Sequence, residues 1–248
     1  MSGVLEGWER SSFAAAGIAH DAFRRGTGPG VIVIHEIPGI TPAVVAFADE
    51  VVDRGFTVVM PDLVGTPGRA VSMPYLVDST IRVCISREFT TWALDRTSPV
   101  TDWLRAMAHA LHAELGGPGV GAVGMCFSGG FALGMMVDDV MVAPVLSQHS
   151  LPIARGSGRA AGNAGLSPDD RETVARRARA GCQVLGLRFT GDRLVGTRFD
   201  DLQELLGDAF IAIELPSSAP GDHSVLTEHR DEASVARVIE FLAERLLN

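Results

Sequence analysis

Lysine is absent from the 248 residues, so all 21 basic side chains are arginine. Its absence excludes a phosphate-binding P-loop, which needs a lysine, and any Schiff-base chemistry. Pyridoxal phosphate enzymes and lysine-dependent aldolases fall with it. Basic charge is scarce as well: the formal net charge is -9 and the pI is near 5.2. Affinity for nucleic acid comes from a basic surface that neutralises phosphates, so no nucleic-acid partner is expected and a small molecule is the better default. The three cysteines, Cys84, Cys126 and Cys182, form neither an even set nor a C-x-x-C pair. A disulfide scaffold and a metal site are therefore not expected, and reduced thiols point to the cytoplasm. No apolar run approaches the ~18 residues of a membrane span, and Met1 to His20 carries no basic leader before a long apolar stretch, so neither secretion nor a membrane is expected.

What the sequence has is enough apolar material, 46% hydrophobic residues, for one sizeable core. A single domain over 1–248 is the simplest organisation. Short β-branched runs alternate with helical segments, the pattern of an α/β fold with a mostly parallel central sheet and helices on both faces. Strands are expected at Val31 to Ile34, Phe56 to Met60, Val120 to Met125, Asp138 to Val145, Gln183 to Thr190 and Ala209 to Leu215. Helices are expected from Pro42 to Asp53, from Pro99 to near Leu115, after Ser167-Pro168, and from Glu232 to Leu247. Several of these open on a capping residue followed by proline. Pro61 to Pro99 reads as a long irregular segment covering the site, and Gly156 to Gly165 as a flexible loop.

The chemistry concentrates at strand ends. In Gly124-Met125-Cys126-Phe127-Ser128-Gly129-Gly130 a buried strand runs directly into a glycine-rich turn, with small residues two before and two after Cys126. That spacing suits a nucleophile on a tight strand-to-helix turn, where a helix N-terminus favours thiolate. Cys126 also reads as a small packed side chain, and Ser128 satisfies the same small-x-nucleophile-x-small rule. Strand register favours Cys126. Asp192 follows the strand ending at Thr190, and His223 follows the strand ending at Leu215, giving the order nucleophile, acid, histidine. His20, His109, His112, His149 and His229 are weaker candidates. At the end of the first buried strand, Ile37 with Phe127 can supply two backbone N–H groups to an oxyanion, and Glu36 points into the same site.

The segments His35-Glu36-Ile37-Pro38-Gly39, Pro61-Asp62-Leu63, Gly124 to Gly130, Asp192 and Gly221-Asp222-His223-Ser224 together resemble the dienelactone hydrolase family of α/β-hydrolases over roughly residues 17 to 247. The resemblance implies an α/β-hydrolase fold and a Cys126, His223, Asp192 triad that cleaves an ester or lactone without metal or organic cofactor. It also implies that Glu36 is hydrogen-bonded to the resting thiol and that arginines grip a substrate carboxylate. Ser128 stands where the family elbow has glycine, and Thr227 where it has an arginine. Arg82 and Arg87, in the 61–99 segment, are the arginines left for that task. Two other readings stand beside this one: a serine esterase built on Ser128, and a catalytically idle fold member that binds a small metabolite.

Overall fold

The computed structural model describes residues 3–90, 97–150 and 166–247, apart from the side chains of Arg87 and Thr90. Among them, strands β1 (Glu9–Ala15), β2 (Ile18–Arg25), β3 (Gly30–Ile34), β4 (Thr57–Pro61), β5 (Val120–Met125), β6 (Met141–Ser147), β7 (Val184–Phe189) and β8 (Phe210–Leu215) form one sheet in the order β1-β2-β4-β3-β5-β6-β7-β8. β1 and β2 pair antiparallel, as do β2 and β4, and every later pairing is parallel. The central strands β3, β4 and β5 are buried at every position. That is why they read as continuous apolar runs rather than alternating ones: a parallel strand is covered on both faces.

Helix α1 (Pro42–Asp53) covers one face together with α8 (Glu232–Leu246), and their Val44, Phe47, Val51, Val238 and Phe241 pack with Val33, Val58 and Val145 of the sheet. On the other face lie α2 (Met73–Ile85), α3 (Arg87–Thr90), α4 (Pro99–Leu115), α5 (Gly129–Met135), α6 (Pro168–Arg179) and α7 (Arg198–Leu206), sharing a core with Ile32, Ile34 and Ala122. Thr41, Ser98 and Ser167 each cap a helix by accepting from the backbone N–H three residues on, with proline next in sequence; Asp231 caps α8 the same way, without the proline.

The expected strands and helices are present with ends shifted by up to a few residues. The 61–99 segment differs from expectation, because Met73–Ile85 and Arg87–Thr90 are helical rather than irregular. Residues 91–96 and the loop expected over 156–165 lie outside the described residues. The hairpin β1–β2 and helix α7 are further elements that the apolar pattern does not announce.

Trp103 of α4 is fully buried, donates its indole N–H to the Phe13 carbonyl at 3.1 Å, and meets the Phe13 ring edge-on at 5.5 Å between centroids. It clamps the β1–β2 hairpin to α4. Trp103→Ala should cost about 3–5 kcal/mol. Ile81→Ser, on the exposed side of α2, should stay within about 0.5 kcal/mol. Urea unfolding of both variants beside the parent chain checks this.

Candidate active site

β5 delivers Cys126 to a tight turn by backbone geometry. Cys126 has φ of 57°, in the left-handed region that a residue with a Cβ seldom enters. The helical turn Cys126–Ser128 then leads straight into α5. The turn requires glycine at 124, where a Cβ would stand 2.4 Å from the Ser128 carbonyl oxygen. Ser128 belongs to the turn's own bracing: its hydroxyl accepts from the Met125 N–H at 2.8 Å and lies 2.9 Å from the Ile34 carbonyl, to which it donates. It is fully buried and has an ordinary helical φ of -81°. Of the two candidate nucleophiles, the strained turn presents Cys126.

Opposite it, the loop after β8 carries His223. Its Nδ1 lies 2.6 Å from the Asp192 carboxylate, which follows β7 and is 3% exposed. The second oxygen of Asp192 accepts the Leu194 N–H at 3.0 Å. His223 Nε2 is buried and, among the described residues, makes no hydrogen bond of ordinary geometry, yet the Cys126 sulfur bears on the ring's ionisation. Burial disfavours the imidazolium. The charge of the Cys126 sulfur and the hydrogen bond to Asp192 outweigh it and raise His223 from 6.5 to about 11. His229, at its Nδ1, accepts the His223 and Ser224 N–H groups at 3.3 and 3.4 Å and so shapes the loop rather than the chemistry.

Glu36, 3% exposed at the end of β3, departs from expectation. Its carboxylate accepts from Gln148 at 3.0 Å, from the Ser224 hydroxyl at 2.7 Å and from the Thr227 hydroxyl. The sulfur it was expected to hold is instead 3.1 Å from the Ser150 hydroxyl. The physical reason lies in its neighbours: short hydroxyl side chains in the histidine loop and an amide just after β6 surround the carboxylate with donors, and draw it to them.

The segment Ser147-Gln148-His149-Ser150, at the end of β6, is what the sequence reading missed, apart from naming His149 among the weaker candidates. All four are buried to 1% exposure or less, and Gln148 has φ of 37°. His149 is kept neutral by burial and by the nearby charge of Arg198, which lower it to about 3 against the pull of the Cys126 backbone. Arg198, 5% exposed at the start of α7, donates to the Leu194 and Val195 carbonyls and senses the Cys126 sulfur. Its Nε has no partner among the described residues.

Ile37 follows the end of β3 and Phe127 follows Cys126 in the turn after β5. The turn's backbone bonds run from the Gly39 N–H to the Glu36 carbonyl and from the Thr41 N–H to the Gly39 carbonyl, leaving the Ile37 amide out of the pattern. Phe127 sits in the first turn of a helical segment, where amides lack partners in the helix. Arg82 is not brought to the site: it is exposed on α2, paired with Asp78 at 2.8 Å one helical turn away. The side chain of Arg87 lies outside the described ones. His20 pairs with Glu88 and His109 with Asp138. Among the described residues no three His, Cys, Asp or Glu side chains gather as a metal site, and no helix is long and apolar enough to cross a membrane.

The profile described as the dienelactone hydrolase family matches residues 16–244. No curated protein matches the chain in sequence. Among solved structures, it is similar to a dienelactone hydrolase from Anabaena variabilis at 14% identity and a TM-score of 0.65, covering 96% of this chain and 98% of that one. It is also similar to a cold-adapted esterase from an Arctic intertidal metagenomic library at 14% identity and a TM-score of 0.61, covering 96% and 93%. At such identities the likeness shows the fold.

His35 supports this site as a neutral ring: Nδ1 donates to the Glu36 carbonyl at 2.8 Å and Nε2 accepts the Leu63 N–H at 3.2 Å. Burial lowers it from 6.5 to about 4. The unfolded chain therefore binds a proton that the folded one refuses between those values. Its stability contribution is full above pH 6.5 and is lost as pH falls toward 4, at about 1.4 kcal/mol per unit. His35→Gln should flatten the stability profile by that slope between pH 6.5 and 4.5, read by urea unfolding at a series of pH values.

Proposed function

The chain belongs to the dienelactone hydrolase family and is a carboxylic ester or lactone hydrolase, and we propose that it works through a Cys126, His223, Asp192 triad and a covalent acyl-enzyme. The observation that carries this reading is the left-handed backbone of Cys126 at the strand-to-helix turn, facing a histidine held by a buried aspartate. Strain of that kind persists where the surrounding structure enforces it, and here it lifts the sulfur out of the strand line.

In the proposed reaction the reacting state is the thiolate–imidazolium pair formed when the Cys126 proton passes to Nε2 of His223, and the thiolate adds to the substrate carbonyl carbon as the carbonyl π pair moves onto oxygen. The N–H groups of Ile37 and Phe127 receive that oxyanion, each such donor contributing about 3 kcal/mol. Collapse breaks the C–O bond to the leaving oxygen, which takes the proton from His223; in a lactone that oxygen stays tethered to the acyl group. Water then gives a proton to His223 and attacks the thioester, and breaking the C–S bond releases the acid and restores the thiolate–imidazolium pair. Asp192 orients the ring through Nδ1 and supports its charged form. The whole chain serves as one domain, and a nucleophilic thiol at Cys126 suits a reducing cytoplasm in which it acts alone or as a small homo-oligomer.

A panel of activated esters and enol lactones should be hydrolysed by the parent chain. Cys126→Ala should lose about 10^3-fold or more, and iodoacetamide should add one label at Cys126 in parallel with inactivation. Ser128→Ala should keep the chemistry while losing about 1–3 kcal/mol of stability through its broken turn bonds. Activity surviving in Cys126→Ala and vanishing in Ser128→Ala would transfer the mechanism to serine.

A further inference from the structure

Ser150 is unassigned by anything above, yet it touches the reacting atom. We propose that Ser150 is a catalytic residue whose hydroxyl donates a hydrogen bond to the Cys126 sulfur and stabilises it as thiolate, both before attack and as the leaving group of the acyl-enzyme. The inference rests on Cys126 being the nucleophile. Its basis is geometric: Oγ lies 3.1 Å from Sγ, within hydrogen-bond reach. The Ser150 side chain is held there by its own backbone, whose N–H donates to the Cys126 carbonyl at 3.1 Å, and the residue is wholly buried. Two residues upstream, Gln148 donates its Nε2 to Glu36. The same strand end thus engages the carboxylate on one side and reaches the sulfur on the other.

A thiolate has no proton to give, so once charge develops the hydroxyl must be the donor. A hydrogen bond to a charged acceptor is about twice as strong as a neutral one. In the acyl-enzyme the sulfur is a neutral thioester and the bond weakens, to recover as the C–S bond breaks. The contact is therefore tightest in the states where sulfur carries charge, which is the condition for lowering a barrier. Among the described residues, the other charged or titratable groups beside Cys126 are His223 from the loop after β8 and Arg198 from the start of α7, both coupled to the sulfur, and His149, just after β6, near the Cys126 backbone. All of them remain when Ser150 is changed.

The test is the rate of Cys126 alkylation by iodoacetamide against pH, with labelling mapped by mass and Cys126→Ala as the blank for Cys84 and Cys182. In Ser150→Ala the acid limb should move up by about one pH unit. The plateau at high pH should equal or exceed the parent's by up to about threefold, because a more basic thiolate is intrinsically more nucleophilic. Ester turnover near neutral pH should fall about 10-fold. A residue that only filled space would lower the rate at every pH and leave the limb in place, and that outcome overturns the proposal. Ser150→Thr and Ser150→Val, alike in shape and differing by the hydroxyl, ask the same question should the alanine variant fail to fold: the parent limb in Thr and the shifted one in Val are expected, and identical profiles overturn it. Cys126→Ala retaining turnover would instead remove the nucleophile, a failure of the preceding reading and separable from this one.

Discussion

A carboxylate shut away from water must be surrounded by donors, and in this molecule that requirement ties the site together. Glu36 ends β3, and the donors that reach it come from Gln148 at the end of β6 and from Ser224 and Thr227 in the loop after β8. These segments are far apart in sequence. Each also carries a neighbour of consequence: Ser224 adjoins His223, Gln148 stands two residues before Ser150, and Glu36 precedes Ile37. Satisfying one buried carboxyl group therefore fixes the histidine loop, the hydroxyl on the sulfur and the candidate oxyanion amide relative to one another. The carboxylate is placed to hold the parts in position while the thiol finds its partners elsewhere.

The sheet supplies the common edge. Strands β3, β5, β6, β7 and β8 run parallel, so Glu36, Cys126, Ser150, Asp192 and His223 all follow the carboxyl ends of their strands. Open α/β sheets gather ligands at that edge because the loops there are free to vary while the strands remain a rigid base. The core on both faces, with Phe47 and Phe241 on one side and Trp103 and Leu104 on the other, holds the base still.

Much of this was legible in the sequence where local punctuation and burial agree. Val120 to Met125 followed by a glycine-rich turn fixes the register of Cys126, and Asp192 and His223 each come just after an apolar strand. The pattern fails where a residue's polarity misstates its surroundings. Met73, Val77 and Ile81 of α2 are exposed while Ser79 is buried beside Tyr75 and Val83, so apolar residues lie on both faces and the segment reads as irregular. Ser147 to Ser150 has the composition of a solvated loop and is almost wholly enclosed. Arg198 likewise looks like a surface residue and is buried beside the site. Polar side chains packed inside are satisfied by long-range partners, and a single sequence does not reveal which segments fold over them. The exchange of Glu36 from the thiol to Thr227 and Ser224 is of this kind, since it depends on hydroxyls nearly two hundred residues away.

The left-handed turn at Cys126 also limits what evolution can place there. A side chain branched at Cβ crowds the backbone at that φ, so threonine, valine and isoleucine are barred by shape before their chemistry matters. Serine differs from cysteine by one atom and fits the same turn. The fold is thus neutral between oxygen and sulfur nucleophiles, and the choice falls to the groups around the atom. A hydroxyl and a buried guanidinium lie near the sulfur, a surrounding suited to a large, polarisable atom, so exchanging sulfur for oxygen here would call for other neighbours.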